Sequence, residues 1–133
     1  MTSEIIYLGE LRTLSTHFQS QNQIFTDAPT DNHGRGEAFS PTDMVANSLA
    51  TCMLTVMGIK AQELKLNMDQ SKANVTKFMG TDPRRIVKIL VEFEMVGQFS
   101  EKDKTILERT ANSCPVIYSL HPDIEKDIKF NWL

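Results

Sequence analysis

The chain has 133 residues, 41% hydrophobic and 23% charged, and its 14 Lys and Arg against 17 Asp and Glu leave a net charge of −3. A chain of this length fits one domain, residues 1–133, that buries a core without disulfide or metal staples. No basic excess is present to neutralise phosphates, which argues against a nucleic-acid partner. The opening MTSEIIY lacks the basic region, long apolar run and cleavage site of a signal peptide. The longest apolar stretch, Met44 to Ile59, is interrupted by Asn47, Ser48, Thr51 and Thr55. It is shorter than the roughly 18 residues of a membrane span. The expected setting is the cytoplasm, with no membrane partner. In that setting a pair of cysteines is more readily reactive than a permanent bridge.

Residues 4 to 26 hold short alternations of apolar and polar side chains, and these predict two or three antiparallel strands. Gly9 and Ser20-Gln21-Asn22 offer turns between them. Residues 27 to 40, DAPTDNHGRGEAFS, form a polar loop that ends in a helix start, Ser40-Pro41-Thr42-Asp43. Ser40 suits the N-cap, Pro41 the first helical position and Asp43 the returning member of a capping box. The helix is expected from about Pro41 to about Leu64. Its middle, MVANSLATCMLTVMGI, is apolar on almost every side, unlike the single stripe of a surface helix. Burial on most faces is expected, with a second subunit of a homodimer covering what one sheet leaves open.

Residues 70 to 79 and 84 to 96 predict a hairpin around Gly80-Thr81-Asp82-Pro83. Ile89, Val91, Phe93 and Met95 alternate with Lys88, Leu90, Glu92 and Glu94, so the second strand should pack its apolar face on the long helix. Arg84-Arg85 reads as a solvated strand start. A second capping box, Ser100-Glu101-Lys102-Asp103, opens another helix. That helix must break before Pro115, because proline disfavours the α conformation in the residue preceding it. A short helix, PVIYSL, and a last strand, DIKFNWL, complete the chain. Strands and helices do not alternate regularly, which gives an α+β fold rather than a doubly wound sheet.

Cys52 lies in the middle of the long helix, where a free cysteine is commonly a small core residue. A reactive Cys52 needs a cation beside it. Cys114 precedes Pro115 at a helix break, where the N-terminus of the following helix favours a thiolate, or where the side chain simply packs. Two cysteines with no further Cys or His at ligand spacing give no zinc signature. His17, His33 and His121 are scattered, and no local pattern supports a Cys–His hydrolase. Arg12, taken alone, is an exposed strand charge. Met53, Val56 and Met57 flank Cys52 in the helix and read either as core or as an apolar lining that suits an alkyl hydroperoxide.

Four segments in this order, GELRTLSTH, TDAPTDNHGRGEAFSPTDM, ANSLATCMLTVM and ANSCPVIYSL, resemble the OsmC/Ohr family of osmotically induced and organic-hydroperoxide-resistance proteins. The resemblance covers nearly the whole chain and lies closer to the OsmC-like branch. It implies an intertwined homodimer in which long central helices are enclosed by sheets from both subunits. It also implies a thiol-dependent peroxidase without haem, flavin or metal, served by an external dithiol reductant. By resemblance, Cys52 matches the peroxidatic cysteine, Cys114 the resolving cysteine and Arg12 the arginine that activates the thiolate. Where the well-studied peroxidases carry a Glu that orients this arginine, the chain has Thr42, followed by Asp43. Asp43 is then either the replacement carboxylate or a helix cap. The alternative to a peroxidase is a redox-sensing or small-molecule-binding dimer with little turnover.

Overall fold

A computed structural model describes residues 1–133, which form two compact units, Met1–Val45 and Ala46–Leu133. The first unit is an antiparallel meander of β1 (Ser3–Gly9), β2 (Arg12–His17) and β3 (Gln23–Asp27). Its first corner is tight: Gly9, Glu10 and Leu11 all take positive φ, at 87°, 53° and 64°. The second link closes with a bond from the His17 amide to the Asn22 carbonyl at 2.8 Å. This fixes a register in which Arg12 faces Asp27 and Thr13 faces Thr26.

Beyond β3 the chain folds back through a single 3₁₀ turn, Thr30–Asn32. A Cβ on Gly34 would lie 1.7 Å from the Ala28 carbonyl oxygen, so this return needs glycine. The loop then reaches α1 (Pro41–Glu63). Ser40 Oγ accepts from the Asp43 amide at 3.0 Å, and Asp43 Oδ2 accepts from the Ser40 amide at 2.9 Å. This reciprocal pair is the expected capping box, and it defines where the helix begins.

The second unit adds β4 (Lys72–Gly80), β5 (Arg85–Met95), α2 (Glu101–Ala111), α3 (Pro115–Ser119) and β6 (Glu125–Trp132). Its sheet has the order β4-β5-β6. β4 and β5 are the expected antiparallel hairpin, and Arg85 Nη1 donates to the carbonyls of Thr81 and Pro83 in its turn. β6 runs parallel to β5, with Phe93 beside Phe130 and Met95 beside Trp132. A parallel neighbour requires a crossover, and α2 and α3 supply it. β6 also begins at Glu125, two residues before the DIKFNWL segment.

Leu49, Met53 and Met57 of α1 are enclosed with Ile89, Val91, Phe93 and Met95 of β5 and Leu107 and Ala111 of α2. The alternation of β5 thus buries the face expected. An aromatic row continues this core: Phe93 stacks on Phe130 at 5.0 Å, Phe130 on Trp132 at 6.0 Å, and Phe99 meets Trp132 edge-on at 5.1 Å. Trp132 Nε1 donates to Glu108 Oε1 at 2.9 Å.

One sheet leaves part of α1 open, as its all-round apolar surface led us to expect. Within the chain it buries one stripe, Ala46, Leu49, Ala50, Met53, Met57 and Ala61, and leaves Val45 and Ile59 exposed. Thr51 and Thr55 return their hydroxyls to the carbonyls of Ser48 and Thr51, which hides polar groups on the outer side. By length and composition α1 is apolar enough to cross a membrane, whereas its bulkiest side chains, Leu49, Met53 and Met57, here supply a core.

Met57→Ala is expected to cost about 2–5 kcal/mol through the cavity it leaves. Ser100→Ala, which removes the cap of α2, is expected to cost about 1 kcal/mol. Urea denaturation followed by circular dichroism checks both, as a lower midpoint at unchanged slope.

Candidate active site

Cys52 follows Thr51, which faces solvent, and precedes Met53, which is fully buried. Successive helical residues are rotated by about 100°, so Cys52 falls at the margin of the buried stripe and is part-exposed. Its neighbours Met53 and Met57 are core residues, and only Val56 of the three flanking apolar side chains keeps some exposure. Met53 and Met57 thus follow the core reading, and of the three only Val56 is left open.

Cys114 arrives from the other direction. α2 stops at Ala111, and Cys114 becomes the N-cap of α3 with Pro115 at the first helical position. Its sulfur accepts from the Ile117 amide at 3.4 Å, and the side chain is fully buried. Both thiols are free. The Cys52 sulfur is close enough to raise the pKa of Cys114, so the two thiols are neighbours within the second unit, and no disulfide joins them.

Of the two readings of Cys114, a helix-favoured thiolate or simple packing, the balance of interactions supports packing. Burial pushes its pKa up, the Ile117 amide opposes this, and the Cys52 sulfur pushes it up further, first as a hydrogen-bond partner and then as a negative charge. The Val116 amide opposes weakly, and the net direction is up. The head of a five-residue helix does not make a thiolate here, because loss of water outweighs two amide donors.

Arg12 and Asp43 belong to the first unit. Arg12 Nε and Nη2 each donate to one oxygen of Asp27 at 2.7 Å, and Glu37 Oε2 lies 3.6 Å from Nη2. The Phe25 ring lies 5.5 Å from the guanidinium carbon. Arg12 is therefore no exposed strand charge, and the carboxylate that holds it is Asp27. Asp43 closes the helix cap described above. The hydrogen bond to Arg12 holds the Asp27 carboxyl below its ordinary pKa, against the opposing effect of burial. The Arg12 guanidinium is shifted up in turn, chiefly by the same bond.

Asp27 was absent from the sequence-based candidates, which placed it in the loop. The signal lay in the hairpin count. A link spanning Phe18 to Asn22 sets Arg12 directly opposite Asp27. Of the histidines, His17 Nδ1 pairs with Ser20 Oγ at 2.7 Å and His121 Nδ1 accepts from the Asp123 amide at 3.0 Å. No group of three or more His, Cys, Asp or Glu side chains forms a metal-binding cluster.

Two outcomes follow for solution experiments. Iodoacetamide should label Cys52 in the folded protein and reach Cys114 only after unfolding, read by peptide mass spectrometry. Equal labelling of both in the native state would contradict their burial difference. The Arg12–Asp27 pair stabilises the fold above the ordinary carboxylate pKa, and this stability is lost as pH falls through the depressed pKa of Asp27. Asp27→Asn should flatten the acid limb of a stability–pH curve.

Comparison with known proteins gives a consistent picture. A family model for OsmC-like proteins matches residues 34–129. No match is found among curated proteins. The chain superposes with a TM-score of 0.96 on a Psychrobacter arcticus protein, provisionally assigned as an osmotic stress induced and detoxification response protein. The two are 46% identical over 98% of this chain and 96% of that one. An OsmC-like protein from Mycoplasma pneumoniae superposes with a TM-score of 0.75 at 21% identity, over 100% and 96% of the two chains. An organic hydroperoxide resistance protein from Legionella pneumophila gives 0.72 at 15% identity, over 99% and 96%.

Proposed function

The chain belongs to the OsmC-like protein family, and from that premise and its paired thiols we propose that it is a thiol-dependent peroxidase that reduces organic hydroperoxides. The observation that carries this reading is the asymmetry of the pair. Cys52 is part-exposed, and Cys114 is buried beside it and retains its proton. Structural neighbours named as organic hydroperoxide resistance proteins from Legionella pneumophila and Elizabethkingia anophelis support the substrate class.

In the proposed cycle the Cys52 thiolate, stabilised by the Arg12 cation, attacks one oxygen of the hydroperoxide. The S–O bond forms, the O–O bond breaks, and the departing alkoxide takes up a proton to give an alcohol. Cys52 is left as a sulfenic acid. The Cys114 sulfur then attacks the Cys52 sulfur. The S–S bond forms, the S–O bond breaks, and hydroxide leaves as water with the proton that Cys114 had kept. An external dithiol reduces the disulfide by exchange and is itself oxidised. A cytoplasmic location, with its dithiol reductants, suits this last step.

The acting form is proposed to be a homodimer. Val45 and Ile59 on α1, and Ile5, Ile6, Tyr7 and Leu8 on β1, are exposed in the single chain. Apolar surface of this kind is expected to be covered, and a second copy is the proposed cover. Sedimentation should give twice the chain mass of 15.1 kDa, and a monomer at micromolar concentration would refute it.

Peroxide consumption with a dithiol reductant tests the activity. Cys52→Ser should abolish turnover, and Cys114→Ser should stall at a sulfenic acid trapped by a dimedone-type probe. If Cys52→Ser turned over as wild type does, the mechanism would be wrong. Ready disulfide formation by the wild type without sustained consumption would favour a redox-sensing or small-molecule-binding role.

A further inference from the structure

We propose that Asp27 is the positioning residue for Arg12, holding one edge of the guanidinium so that Nη1 is presented to an anion. This rests on the reading that Arg12 serves the reactive thiolate. It assigns to Asp27 the task that Thr42 has no carboxylate to perform.

The geometry is that of a built support. Arg12 and Asp27 are direct register partners on neighbouring strands, so their side chains leave the sheet on one face. Both carboxylate oxygens are used, one on Nε and one on Nη2, at 2.7 Å each. This fork fixes the plane of the guanidinium as well as its distance, which a single contact would not do. Asp27 is itself immobilised. Its side chain has 0% exposure, and its amide donates to the Phe39 carbonyl at 3.1 Å. The Phe25 ring limits movement from the side.

With Nε and Nη2 committed, Nη1 makes no hydrogen bond within the chain, and the Arg12 side chain keeps 22% exposure. An arginine held this way offers a cation at little further conformational cost when an anion arrives. Glu37 is a weaker contributor, because its side chain is 65% exposed and lies 3.6 Å from a nitrogen that Asp27 already holds.

The test compares Asp27→Asn, Asp27→Glu, Glu37→Gln, Arg12→Gln and the double variant Arg12→Gln/Asp27→Asn. Two readouts are taken: kcat/KM for an organic hydroperoxide, and the pH profile of Cys52 alkylation by iodoacetamide without peroxide. Rates are expressed per folded molecule from circular dichroism. Asp27→Asn is expected to lower kcat/KM about 10- to 100-fold and to move the alkylation profile to higher pH. Asp27→Glu should restore part of both, and Glu37→Gln should leave both near wild type. On the Arg12→Gln background, adding Asp27→Asn should cost nothing further, because Asp27 acts through Arg12. The proposal is overturned if Asp27→Asn leaves the alkylation profile unchanged per folded molecule, or if its effect adds in full to that of Arg12→Gln. A wild type that consumes no peroxide would sink the proposed peroxidase. The alkylation profiles would still decide the positioning role.

Discussion

Rotation of α1 about its own axis is set by Leu49, Met53 and Met57, which are wholly enclosed with the alternating apolar face of β5. Everything at the thiol pair depends on that rotation. A helix turned by one residue would carry Cys52 into the core, where it would be a small hydrophobe like many others. Turned the other way, it would lose Cys114. The cap at Ser40 and Asp43 fixes where the helix begins, and the core fixes which way it faces.

The two cysteines share chemistry but not environment, and the difference has simple causes. Cys114 sits where a chain break and a proline force a new helix to begin, which gives its sulfur amide donors. Position alone argues for a thiolate. Dehydration argues against it and prevails, and a charge on the neighbouring Cys52 adds to the penalty. In the first unit the same competition ends the other way. Asp27 is as dehydrated as Cys114, yet a two-pronged bond to a permanent cation keeps it ionised. Burial decides nothing by itself; the partner available inside decides it.

Much of this was legible from residues. The helix starts followed from capping boxes, because those are local hydrogen-bond patterns written in four consecutive letters. β5 followed from strict alternation, and the break before Cys114 from Pro115. The α+β class and family followed from the order of segments. The direction of β6 was not legible, because alternation looks the same in parallel and antiparallel strands and only the crossover through α2 and α3 decides. Nor was Asp27, since a residue ending a strand and one opening a polar loop read alike until register is fixed. The net state of Cys114 stayed open between thiolate and simple packing for a related reason: an N-cap position is visible in sequence, whereas complete enclosure is a property of the packed chain.

The aromatic row that joins β5 to β6 carries an optical consequence. Trp132 is the only tryptophan, and it is wedged between Phe130 and Phe99 with its indole nitrogen bound to Glu108. Its emission therefore reports on the scaffold of the second unit, the one that carries both cysteines. Opening of that core would shift the emission to the red, while fraying of the β1–β3 meander would leave it dark to this probe. Tyrosine emission gives no such separation, because Tyr7 lies on β1 and Tyr118 on α3, one in each unit. The single indole is thus the one fluorophore that reports on the thiol-bearing unit alone.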